Sequence, residues 1–135
     1  MLKPGGRIGY FNIFITHEIP EQERRRYGRE SPWRYTRAEQ QALLRSADFV
    51  RIEEQDVTDE YLRIQRALYE ANERHARSLR RVQGAAQFEE RQMNRRRTLE
   101  QIERGVLRRS LLLAAKPSRG RVRTRRPAPP ARSAR

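Results

Sequence analysis

Residues 1–16 read MLKPGGRIGYFNIFIT. A Lys-Pro-Gly-Gly turn is followed at once by a run with apolar residues at nearly every position. Ile8, Tyr10, Asn12 and Phe14 fall on one face of an extended chain, and Gly9, Phe11, Ile13 and Ile15 on the other. The run predicts a strand over 7–16. A strand that is apolar on both faces is the habit of parallel sheets, which are covered by helices on each side. It needs neighbours along its edges and cover above and below.

The rest of the chain supplies some of these. Residues 17–34 are polar, with Pro20, Gly28 and Pro32 as breakers, and read as a long loop with one helical turn near 21–26. The stretch YTRAEQQALLRSADF (35–49) begins a helix. Thr36 suits its N-cap, and Glu39 three residues on completes a capping box. Ala38, Ala42, Leu43 and Ala47 give it a narrow apolar stripe. FVRIEEQDVT (49–58) reads as a second strand. From 59 to 104 the period turns helical, with Tyr61, Ile64, Leu68, Ala71, His75, Leu79 and Val82 three or four apart. Gly84 divides this segment, and Phe88, Met93, Leu99 and Ile102 mark a second helix. Gly105 suits a C-terminal cap. SLLLAAKP (110–117) reads as a third strand, stopped by Pro117.

The totals set bounds. The chain has 135 residues, 36% apolar and 36% charged, so any core is modest. Its net charge is +14, and half of that sits in residues 117–135, which hold seven arginines and no acid. Two lysines stand against 29 arginines, a bias that nucleotide composition explains as well as a polyanion partner does. There is no cysteine, which excludes disulfides and thiolate metal sites. The apolar stretch near Met1 is too short and too polar for a secretory signal, and no run approaches the roughly 20 apolar residues of a membrane span. A cytoplasmic protein without a membrane partner is the expectation.

Three of these stretches carry a resemblance. LKPGGRIGYFNIFI (2–15) resembles the turn and fifth strand of class I S-adenosylmethionine-dependent methyltransferases. LLRSADFVRIEEQDVT (43–58) is similar to that family's helix end and sixth strand, with Asp48 where the family has glycine. RGVLRRSLLLAAKP (104–117) is similar to the final strand, which in the family lies antiparallel between the fifth and sixth. The resemblance covers residues 1 to about 117. It implies an α/β fold: a partial Rossmann-like methyltransferase sheet of three C-terminal strands with helices, in an incomplete domain over 1–116. A long helical insert spans 59–104, and 117–135 is expected to be a disordered basic tail rich in Arg and Pro.

The resemblance also implies an activity, attack of a nucleophilic acceptor on the methyl of S-adenosylmethionine. The family holds this cofactor with a glycine-rich turn after its first strand and an acid at the end of its second. Neither has a counterpart from the fifth strand onward. S-adenosylmethionine is therefore expected for a full-length parent enzyme, with none bound by this chain alone. The simplest reading is a C-terminal fragment, with Met1 an internal methionine or the gene truncated.

Open sheets bind ligands beyond the carboxyl ends of their strands. His17 lies there, and in the family that region lines the acceptor pocket. The substrate-pocket candidates are thus Asn12, Phe14 and His17. His17 reads either as a proton acceptor or substrate contact, or as a solvated loop histidine. Trp33 and Tyr35, in SPWRYT (31–36), read either as a lid over an apolar acceptor or as a staple at the helix entry. A small organic acceptor is the expected partner. No catalytic residue is assigned. His75 reads as a packed core histidine. Two histidines far apart give no metal site. Glu53, Glu54, Asp56, Asp59 and Glu60 read as solvated charges. The alternative function is a small basic nucleic-acid-binding protein acting through the helices and the Arg-rich tail, although the tail has no aromatic residues for base stacking.

Overall fold

The opening turn forms as its residues require. In the computed structural model, which describes residues 2–30 and 39–118, Gly6 N–H donates to the Lys3 carbonyl at 2.9 Å and Gly5 has φ +75°. Proline at the second position and a positive φ at the third are the geometry of a type II turn. The turn leads into β1 (Arg7–Ile15). There follow α1 (Glu21–Glu30), α2 (Gln40–Ser46), β2 (Val50–Asp56), α3 (Thr58–Arg74), α4 (Ala76–Gln83), α5 (Ala85–Glu103) and β3 (Leu107–Ala115).

The three strands form one sheet in the order β1-β3-β2. β3 is antiparallel to both neighbours, so β1 and β2 run parallel to each other without touching. Phe11 sits opposite Leu111, and Asp56 opposite Ser110. The last strand thus lies between the first two, as the resemblance implies.

β1 has apolar cover on both faces. On one, Leu44, Leu112 and Ala114 form a core with Ile8, Tyr10, Phe49 and Ile52, and α2 supplies the helix. On the other, Tyr61, Ile102 and Leu107 pack with Ile13 and Leu62 beneath α3 and α5. The second cover is incomplete: Phe11 is 56% exposed, and Leu113 beside it is exposed as well. Arg109 lays its guanidinium over the Phe11 ring at 3.7 Å and reaches Tyr61 on its other side.

Two helices end in the same way. At α5, Gly105 (φ +74°) donates to the Ile102 carbonyl and Val106 to that of Gln101, a Schellman motif. At α2, Asp48 takes the same left-handed conformation with φ +61°. Its N–H donates to the Arg45 carbonyl and that of Phe49 to Leu44. Asp48 therefore adopts the conformation for which glycine is favoured.

Several expectations need correction. The polar stretch after β1 holds a ten-residue helix rather than one turn. Ion pairs from Glu21 to Arg24 and Arg25 support α1, and Gly28 is buried inside it. Glu39 is extended (ψ 139°) and is itself the N-cap of α2, so it does not close a capping box. Thr36 and Ala38 lie outside the described residues. The segment after Asp59 breaks at His75 as well as at Gly84. His75 is exposed between α3 and α4, not packed in a core. The stripe through Ile64, Leu68 and Val82 is exposed too. The α3–α5 seam instead runs through Tyr61, Leu62, Tyr69 and Asn72, because buried Gln92 anchors it. Gln92 donates to Glu73 Oε1 at 2.6 Å and accepts from Asn72 Nδ2 at 3.2 Å.

Candidate functional site

Because β1 and β2 are parallel, their carboxyl ends lie at the same end of the sheet, with the start of β3 between them. The register puts Phe14 opposite Arg108, and Asn12 and Asp56 on either side of Ser110. Alternation adds Glu54 and Tyr10 to this face. It is the α2 face.

The face is bonded together. The Ser110 hydroxyl donates to Glu54 Oε1 at 2.8 Å, and Gln41 Nε2 donates to Glu54 Oε2 at 2.7 Å. The Tyr10 hydroxyl donates to Gln40 Oε1 at 3.1 Å. Burial, and then the Glu54 charge, raise the Tyr10 pKa above its ordinary value. Arg108 pairs with Asp56, and Thr58 N–H donates to Asp56 Oδ1 at 2.9 Å. Burial works against the Asp56 carboxylate, but the hydrogen bonds from Thr58 and Arg108 outweigh it and lower its pKa. The bond to Asp56 likewise raises Arg108. At the rim, the His17 ring stacks on Phe14 with centroids 6.3 Å apart. His17 is exposed just past the end of β1.

Three of the sequence candidates therefore share one end of the sheet: Asn12, Phe14 and His17. Trp33 and Tyr35 lie outside the described residues. Sequence reading missed Arg108 and Ser110. No local signal marks them, because their places at this end depend on pairing with strands distant in sequence. Glu54 and Asp56 are exposed, and Asp56 balances Arg108, as expected of solvated charges; their hydrogen bonds also tie them into this wall. Among the described residues no group of three or more His, Cys, Asp or Glu is placed to hold a metal. Chemically the wall offers an aromatic shelf, an accessible imidazole and fixed carboxylates. It is suited to holding and orienting a ligand. A groove of about 390 Å³, lined by residues including Arg7, Arg51 and Leu113, lies at the opposite end of β1.

No family model and no curated protein matches the sequence. Solved structures match the fold. Phosphoethanolamine N-methyltransferase 2 of Haemonchus contortus, solved with phosphomonomethylethanolamine and S-adenosylhomocysteine, superimposes with a TM-score of 0.75 at 18% identity. The same enzyme with S-adenosyl-L-methionine gives 0.72 at 18% identity. The fold is methyltransferase-like. Each match covers 87% of this chain but only 28% and 27% of the enzyme, so the chain spans less than a third of these structures' length. Among the described residues the architecture is thus a mixed α/β one with three strands, matching one part of a Rossmann-like methyltransferase.

Proposed function

We propose that this chain is the C-terminal portion of a class I S-adenosylmethionine-dependent methyltransferase acting on a small organic acceptor. The observation that carries the reading is the strand order β1-β3-β2, with the last strand antiparallel between two parallel ones, in a chain that overlays a methyltransferase at a TM-score of 0.75. In this reading residues 1–116 belong to the enzyme domain, 59–104 are its insert and 117–135 are a basic tail outside it. Asn12, Phe14 and His17 form part of the acceptor wall. The wall positions the acceptor and excludes water, the main contribution a protein makes to methyl transfer. When bound, S-adenosylmethionine would supply the electrophilic methyl group. The small acceptor is supported by the neighbour solved with phosphomonomethylethanolamine. A cytoplasmic location goes with this reading. No helix among the described residues is long and apolar enough to cross a membrane. The nucleic-acid alternative gains nothing from the structural neighbours.

In this reading the glycine-rich turn and the acidic residue that hold the cofactor in that family have no counterpart from the fifth strand onward, so the chain alone binds none. Calorimetric titration of the isolated chain with S-adenosylmethionine is expected to give no saturable binding. A one-site isotherm of micromolar affinity would overturn the partial-domain reading.

A further inference from the structure

The two outer strands of the sheet differ in how they treat their open edges. β2 is blunted. Its register slips between Val50 and Glu53, Arg51 has φ +52°, and Arg51, Glu53, Glu54 and Asp56 charge it. These are the devices that keep a strand from pairing with another chain. β1 has none of them. Among the described residues it pairs only with β3, in unbroken register over nine residues, and its sole charge is Arg7 at the start.

The direction of its free hydrogen-bonding groups follows from the ends of the ladder. Lys116 N–H donates to the Gly6 carbonyl and Thr16 N–H to that of Val106, both at 2.8 Å. Even-numbered positions thus face β3. By alternation the N–H and C=O groups of Arg7, Gly9, Phe11, Ile13 and Ile15 point to the open edge. Phe11, at the middle of that row, is 56% exposed.

The geometry points to a second copy of this chain as the occupant of that edge when the chain stands as a separate polypeptide. β1 would pair antiparallel with β1 of the other copy about a two-fold axis at Phe11, giving one continuous six-stranded sheet. The register is self-complementary. It sets Phe11 against Phe11, Gly9 against Ile13 and Tyr10 against Asn12, so each face continues across the axis. No like charges oppose, since Arg7 falls opposite Ile15. Beyond the strand, Lys3 and Arg7 of one copy approach Glu18 of the other, a complementary pairing repeated by symmetry. The blunted edge of β2 closes the assembly at two copies. In the methyltransferase reading this edge would pair with the preceding strand of the whole enzyme, so the inference concerns the 135-residue chain on its own, and failure of the dimer leaves that reading untouched.

The cysteine-free sequence makes the test clean. Sedimentation of the full 135-residue chain is expected to show a reversible monomer–dimer equilibrium. Phe11→Cys places two thiols at a hydrogen-bonded pair about 5.5 Å apart between Cα atoms, within disulfide range. Mild oxidation should link it into dimers, whereas Val50→Cys on the other edge stays monomeric. Phe11→Lys and Phe11→Glu, both folded by circular dichroism, should each be monomeric through like-charge opposition, and mixing them should restore a dimer. A chain that is monomeric at every concentration, or that grows into larger assemblies, overturns the proposal. So does equal cross-linking at both edges, or a Phe11→Lys protein that still dimerises.

Discussion

Asp48→Gly should stabilise this protein. Asp48 occupies the left-handed position of the Schellman motif that ends α2, with φ +61°. An L-residue there suffers crowding between its Cβ and the backbone, worth about 1–2 kcal/mol in general and less for a short polar side chain such as Asp. Glycine removes that crowding. It gives back about 0.4–1 kcal/mol through the greater freedom of the unfolded chain. The motif's own bonds, Asp48 N–H to Arg45 and Phe49 N–H to Leu44, are backbone bonds and survive the change. The Asp48 side chain is exposed, so no packing is lost. The net gain should be about 0.5–1 kcal/mol. Urea unfolding followed by circular dichroism, at one fixed protein concentration, reads it as a midpoint raised by roughly 0.3–1 M with the slope unchanged. Asp48→Ala is the control. It keeps the Cβ and loses the local polar group, so it should fall below the wild type. A glycine variant no more stable than the wild type, or an alanine variant equal to it, would refute the left-handed cap.

Three further outcomes follow from the same geometry. Asp56 is held below the ordinary carboxylate value, so its contribution is present above the unfolded-state pKa and is lost as pH falls through the lower folded value. Asp56→Asn should flatten the acid limb of a stability-versus-pH curve measured below about pH 4. At neutral pH it should cost only a few tenths to about 1 kcal/mol, because the side chain is half exposed and screened. Leu112→Ala opens a cavity in the core beneath α2, where Leu112 is fully buried, and should cost about 2–5 kcal/mol in the same urea assay. Gln92→Ala strands the Asn72 amide and the Glu73 carboxylate, and should cost about 1–3 kcal/mol with α3–α5 amides losing hydrogen-exchange protection.

Much of the sheet is legible in the sequence because strand signals are local. Pro4 and Gly5 fix the opening turn, and the alternation from Ile8 to Ile15 gives β1 both of its packed faces. LRRSLLLAA lacks such alternation, and its place between β1 and β2 came from the resemblance rather than from its residues. The helices were harder. α1 has almost no apolar periodicity and is held by Glu21–Arg ion pairs around a buried Gly28, so the period test sees only a loop. In α3, Ile64 and Leu68 mimic a core stripe, but the helix turns its Tyr61–Tyr69–Asn72 side toward α5 because Gln92 has polar partners there. A polar seam of this kind is invisible to an apolar count. At the site, Asn12, Phe14 and His17 could be placed from the strand end alone. Arg108 and Ser110 could not, because their neighbours lie far off in the chain: Asp56 on β2 is 54 residues from Ser110, and Asn12 and Phe14 on β1 are 98 and 94 residues from Ser110 and Arg108.

The most direct test of the account is the set of Hα–Hα contacts in a nuclear Overhauser spectrum of the isotope-labelled chain. Close Hα pairs arise at the non-hydrogen-bonded positions of antiparallel strands, where Cα atoms approach to about 4.5 Å. The account predicts them for Gly9–Leu113, Phe11–Leu111 and Ile13–Arg109 on one side of β3, and for Glu54–Leu112 and Asp56–Ser110 on the other. Contacts running directly between β1 and β2 would contradict the β1-β3-β2 order, and with it the methyltransferase reading.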